Sequence, residues 1–194
     1  MKLHTTLKSA LLAAIVAVLT GCTPEIRDQS SAEIQQQISV KSLPDSPNRI
    51  LTAPDLNVQQ FRMAFYGYNT VSYLLAAIKD DQSSGLNYQL QFDAKYGIVG
   101  SRYIRHYDMA KMQNGVVIPT TQLRHDALSC QMYGDMVNGC LFRDRANVAI
   151  SLEQLQSGRQ SGLTLILSSA DKNYETLDLP AQYIDGFLIA VQNK

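Results

Sequence analysis

The sequence predicts an α+β domain: mainly antiparallel β-sheet, or a small β-sandwich of about seven strands, with an N-terminal and a C-terminal helix packed on it. Three observations carry this. Residues Leu86 to Tyr96 alternate apolar and polar without a break, turn-forming residues divide the chain beyond them into short lengths, and a final stretch after Pro180 has apolar residues at helical spacing. Short connections favour antiparallel pairing, because parallel neighbours need long crossovers. Ten tyrosines and no tryptophan agree with strand-rich structure, since aromatic rings suit a half-buried pleated surface.

The domain is expected over residues 56–194. Val58, Phe61, Phe65, Tyr68, Val71, Leu75 and Ile78 recur at steps of three or four, the stripe of an amphipathic helix, although Gly67 interrupts it and Tyr73 to Ile78 also reads as a strand. Leu86, Tyr88, Leu90, Phe92, Ala94 and Tyr96 then alternate with Asn87, Gln89, Gln91, Asp93 and Lys95, a strand with one buried and one wet face. Gly97 and Gly100 allow a turn, after which Ser101 to Tyr107 should return antiparallel. Asn114-Gly115 marks the next turn, before Val116 to Ile118, and hairpin arms follow near Leu123 to Met132 and Cys140 to Ile150.

Ser151 and Gln154 match a capping box, with Gly158 placed to close a helix of two turns. Leu163 to Leu167 is short and apolar enough for a central strand, and Asp171-Lys172-Asn173 turns the chain into Tyr174 to Leu179. Pro180 stands where a first helical residue belongs, and Ile184, Phe187, Leu188 and Val191 make the stripe of the terminal helix. No internal repeat is visible.

The N-terminus has the layout of an export signal. Lys2 and Lys8 precede an uncharged run from Ala10 to Leu19, too short to span a bilayer as a helix of about 20 residues. The run ends in Leu19-Thr20-Gly21-Cys22. That ending resembles the bacterial lipobox, whose small residues admit a peptidase and whose cysteine carries lipid. An ordinary secretory signal with a cysteine at its end is the competing reading.

The resemblance implies removal of residues 1–21 and attachment to a membrane through acyl chains (palmitate among them) on Cys22. Each buried CH₂ adds about 0.8 kcal/mol, so several chains hold firmly. Thr23, rather than an acidic residue, follows the cysteine. By the same resemblance this implies the periplasmic face of the outer membrane, if the source is Gram-negative.

Residues 22–55 read as the lipidated cysteine and a flexible tether. Four of the six prolines lie here, with Ser30-Ser31 and a Gln35-Gln36-Gln37 run. Ile34, Ile38 and Val40 leave room for a short docked strand.

Without Lys2 and Lys8, fifteen basic side chains would face seventeen acidic ones. No clustered basic face suggests nucleic acid as a partner. Cys130 and Cys140 remain beside Cys22, and two nearby cysteines in an exported chain are most simply a disulfide. Gly134-Asp135 and Asn138-Gly139 lie between them and suit tight turning, so the pair should staple a hairpin. Neither metal-ligand nor Cys-X-X-Cys spacing accompanies them.

Chemistry is harder to find. His125 and Asp126, with Ser129 beyond, hold the residue types of nucleophilic catalysis, but neighbours on a strand point to opposite faces. His106 lies between Arg105 and Tyr107. Asp93, Asp108, Asp126, Asp135, Asp144 and Glu153 are scattered, as solvated surface carboxylates would be. No phosphate loop, dinucleotide fingerprint, metal motif or calcium loop occurs, so no cofactor or metal is expected and no catalytic residue is assigned.

Tyrosines and arginines gather in the middle of the chain. Tyr66, Tyr68, Tyr103 and Tyr107 either form a stacking surface or line the sheet core. Arg102, Arg105, Arg124, Arg143 and Arg145 are either edge charges or part of an interface. The surface chosen from these for a partner is Tyr103, Arg105, Tyr107, Arg124 and Arg143. The leading functional expectation is a non-catalytic binding or assembly lipoprotein that holds an envelope protein near the membrane. The alternatives are a periplasmic hydrolase of cell wall or lipid, and a carrier of an apolar ligand.

Overall fold

A computed structural model of the chain describes residues 25–42, 48–60, 69–79, 85–98, 105–133, 136–169 and 174–193. Among these residues the architecture is α+β, with three α-helices and two antiparallel sheets of seven and four strands. The larger sheet contains β1 (Ser39–Ser42), β2 (Arg49–Thr52), β3 (Leu56–Gln60), β4 (Asn69–Lys79), β5 (Leu86–Ile98), β8 (Thr120–Tyr133) and β9 (Met136–Ala149). Its order is β1-β2-β4-β5-β9-β8, with β3 pairing the same strand β4 as β2 does. The smaller sheet contains β6 (Tyr107–Met112), β7 (Val117–Ile118), β10 (Leu163–Ser169) and β11 (Tyr174–Leu179), in the order β11-β10-β6-β7.

Strand β5 has the alternation its sequence dictates, burying Leu90, Phe92, Ala94 and Tyr96. The facing sheet meets it through Tyr107, whose ring stands edge-on to Phe92 at 4.9 Å. Between these layers the core is continuous with the helices. Strand β10 is central in its sheet, as Leu163 to Leu167 predicted, yet only one face is buried: Leu163, Leu165 and Leu167 point inward while Ile166 is accessible.

The helix expected over the apolar stripe from Val58 to Ile78 is absent from the described part of that segment, which instead forms β3 and β4. Val71, Tyr73, Leu75 and Ala77 are buried, a period of two that the three-and-four count concealed. The β-branched and aromatic residues there fit a pleated sheet better than a helix. Phe61, Phe65 and Tyr68 lie outside the described residues.

The N-terminal helix comes from the segment expected to be a tether. Helix α1 (Ser31–Gln37) is opened by a capping box in which the Ser30 hydroxyl accepts from the Glu33 N–H and the Glu33 carboxylate accepts from the Ser30 N–H. The Ser30 N–H and the Ser30 hydroxyl both donate to the Glu33 carboxylate and hold it below its usual range. Ile34 is fully buried against α3 (Ala181–Asn193), which also buries Tyr183, Ile184, Phe187, Leu188 and Val191. The crossing is close: a Cβ built on Gly186 falls 2.4 Å from the Ser31 carbonyl oxygen and 2.8 Å from Ile34 Cβ. Arg27, just ahead of α1, donates to the Tyr73 hydroxyl at 2.6 Å, which in turn donates to the Asp178 carbonyl at 2.8 Å. Residues 25–42 are therefore packed against the domain, with β1 and β2 extending its sheet.

Helix α2 (Leu152–Ser161) begins at the predicted capping box of Ser151 and Gln154, but Gly158 does not end it. Gly158 lies inside the helix, where its missing side chain leaves room for Ile184. The cap is Gly162, at φ 80°, a conformation glycine adopts without steric cost. Pro180 caps α3 rather than entering it, its carbonyl accepting from the Tyr183 and Ile184 N–H groups. Of the strand expected over Ser101 to Tyr107, residues 101–104 lie outside the described residues, and Tyr107 opens β6. Strand β6 pairs with β10 and β7 in the second sheet, whereas β5 pairs with β4 and β9.

Candidate functional site

The hairpin of β8 and β9 carries Arg124, His125, Asp126, Ser129, Cys130, Cys140, Arg143 and Arg145 of the residues singled out from the sequence. Cys130 and Cys140 face each other in its ladder and are joined by a disulfide, their Cα atoms 4.0 Å apart. Strand β8 ends at Tyr133 and β9 begins at Met136, with Asn138-Gly139 inside β9; Gly134-Asp135 lies outside the described residues. The pairing slips near Leu123, Leu128 and Asn138, and each slip leaves one residue without an opposite partner. Leu123 and Leu128 are accessible to solvent as a result.

Inside the sandwich the structure assembles a polar chain from five strands and the segment before β6. Glu175 of β11 accepts from the Arg105 guanidinium at 3.0 Å and from the Tyr107 hydroxyl at 3.1 Å. The same guanidinium donates to the Tyr107 oxygen at 3.1 Å and lies over the Tyr96 ring, 4.6 Å from its centroid. The Tyr96 hydroxyl accepts from the Arg105 N–H at 3.1 Å and donates to Asp144 Oδ2 at 2.6 Å. The other oxygen of Asp144 holds His125 Nδ1. Beyond it the His106 ring sits 4.9 Å from that of His125, with Gln122 bonded to His106 Nδ1.

Burial explains why this chain is so completely paired. Glu175 and Asp144 are 3% and 1% exposed, and a charge removed from water is tolerated only when paired and hydrogen-bonded. Burial, with Asp144 adding to it, pushes the Tyr96 hydroxyl well above the usual tyrosine range. Burial and the neighbouring Glu175 do the same to Tyr107. Both remain neutral donors at any physiological pH.

This corrects part of the expected partner surface. Arg105 and Tyr107 are buried, and their polar ends are engaged with Glu175 and Tyr96 rather than presented to solvent. Arg124 and Arg143 are accessible, the first near Asp126 and the second forked onto Asp93. Arg145 also reaches Asp126, so three arginines and two aspartates form a ladder across β5, β9 and β8. Tyr103 and Cys22 lie outside the described residues. The aspartate that orients His125 is Asp144, 19 residues away, and not the adjacent Asp126. Its place opposite His125 is set by the register of β8 and β9, which no local motif encodes.

A groove of about 990 Å³ lies beside this face. Tyr88, Ile118, Pro119 and Ile150 contribute to its lining, and Val117, Leu123 and Leu152 stand accessible along it. Its polar lining among the described residues consists of amides and hydroxyls, among them Asn87, Gln89, Thr121, Asn147, Ser151 and Gln154, with no charged side chain. Asn147 Oδ1 is buried there without a hydrogen-bond partner, while its Nδ2 donates to Gln89. Among the described residues no helix is long and apolar enough to cross a membrane. Comparison of the chain with protein-family models, with curated proteins and with solved structures gives no match.

Proposed function

We propose that the protein is a lipoprotein of the bacterial envelope, anchored through acyl chains on Cys22, whose domain binds a protein partner and catalyses no reaction. The anchor rests on Leu19-Thr20-Gly21-Cys22 behind an uncharged run of export-signal length. The groove carries the binding half of the reading. Accessible Val117, Leu123 and Leu152 beside the unpaired Asn147 Oδ1 suit a protein surface with apolar anchors and a placed hydrogen bond. The neighbouring Arg124, Arg143 and Arg145 would form its charged rim.

Two measurements test this. Cys22→Ala should release the protein from the membrane fraction, and retention there would count against the lipid anchor. A photo-crosslinking residue at Leu123 or Leu152, placed in the membrane-attached protein in cells, should yield one reproducible envelope partner. The same residue at Tyr174, accessible but in the other sheet, should not. Equal labelling from both positions would remove the groove from the reading.

One observation favours a second reading, a periplasmic hydrolase. His125 is oriented by a buried aspartate, as a general base is. Hydrolysis of wall or lipid substrates that disappears in His125→Ala and survives in Asp126→Ala would support it.

A further inference from the structure

We propose that His106 and His125 form an open, two-histidine site for a divalent transition-metal ion of the zinc class, bridging the two sheets. Sequence gives no hint of it, because the two residues come together only through folding. His106 immediately precedes β6 in the smaller sheet, and His125 lies in β8 at the edge of the larger one.

Their rings are 4.9 Å apart, centroid to centroid, and tilted by 42°. An ion bonded to two imidazole nitrogens at about 2.0–2.1 Å, in tetrahedral geometry, holds ring centroids about 5 Å apart. The centroid spacing is therefore the one a shared ion would require, with both Nε2 atoms turned towards it.

Each ring is also held as a ligand should be. Asp144 engages Nδ1 of His125, and Gln122 engages Nδ1 of His106, its amide atoms 3.1 and 3.3 Å away. A metal-bound histidine characteristically donates its second ring N–H to a carboxylate or carbonyl oxygen, which fixes the tautomer and strengthens the other nitrogen as a ligand. With the Gln122 oxygen turned to the ring, Nε2 of both histidines keeps a free lone pair. Phe142 stacks on His125 at 5.3 Å and limits its rotation. The buried Asp144 carboxylate, fixed from behind by Tyr96, sets negative charge beneath the site.

His106 is exposed and the His125 side chain is 23% exposed, so an ion can enter from solvent. Among the described residues no cluster of three or more His, Cys, Asp and Glu side chains forms a metal site. Among the described residues these two side chains are the ligands, and water or a donor from a bound molecule completes the coordination. Open coordination positions distinguish reactive or bridging zinc sites from closed structural ones.

The test uses the full chain without an affinity tag, stripped with chelator and titrated with Zn²⁺ by calorimetry alongside thermal unfolding. Expected are one bound Zn²⁺ per chain and a rise in Tm, since binding to the folded state alone stabilises it. His106→Ala and His125→Ala should each abolish the binding, and Gln122→Ala should weaken it by about tenfold or more. His106 is exposed and outside regular structure, so its variant should fold normally by circular dichroism. No binding by the wild type, or binding unchanged in His106→Ala and His125→Ala, overturns the proposal.

Discussion

The Tyr96 hydroxyl donates to one oxygen of Asp144 at 2.6 Å while the other oxygen of that carboxylate engages His125. A residue on the inner face of β5 thus fixes a charge on β9, which in turn fixes a ring on β8. Tyr96→Phe removes the donor from Asp144 and leaves the Arg105 N–H without its acceptor. Unfolding in urea should show a loss of about 1–3 kcal/mol. An unchanged midpoint would mean that the chain of hydrogen bonds contributes nothing net.

Alkaline pH should unfold the protein through its tyrosines. Burial is the main cause of the raised pKa values of Tyr96, Tyr107 and Tyr183. A phenol raised in the folded state is favoured there in its protonated form. Its contribution is complete below the unfolded value of about 10 and is lost as pH rises beyond it. Phenolate absorbance of these residues should therefore appear together with loss of circular dichroism. Smooth ionisation of every tyrosine while the fold persists would refute this.

The contact between α1 and α3 should be sensitive in both directions. Ile34→Ala empties a fully buried site and should cost about 2–5 kcal/mol in urea unfolding. Gly186→Ala puts a methyl group into the Ser31 carbonyl and Ile34, and overpacking of this kind costs about 1–3 kcal/mol. If residues 25–42 were a passive tether, both variants would unfold like the parent.

Replacing Cys130 and Cys140 together by serine should lower stability by roughly 2–3 kcal/mol, the chain-entropy value for a loop closed ten residues apart. Adding reductant to the parent protein should give the same shift. A reductant effect that persists in the double variant would point to another cause.

The sequence was most legible where one physical rule acted alone. Leu86 to Tyr96 followed the pleat, Ser151 and Gln154 formed their cap, and the apolar stripe after Pro180 became α3. Reading failed where two periodicities overlapped, as between Val71 and Ile78, or where composition masked a local signal. Ser30 and Glu33 already have capping-box spacing, and Ile34 and Ile38 lie one helical turn apart, but the surrounding prolines and glutamines suggested a loose chain. The polar chain was least legible. Arg105 and Tyr107 looked like an interface because their residue types favour one, whereas Glu175, the partner that buries them, lies about seventy residues onward in another strand.

The docking of α1 also changes the mechanics of the proposed anchor. From Cys22 to Glu25 the chain reaches at most about 10 Å even when fully extended. A protein held there would be mounted like a bracket on the bilayer, its outlook set by how α1 grips α3. A partner would then meet the groove at a limited height above the bilayer, and a change at Ile34 or Gly186 that freed α1 would lengthen that reach.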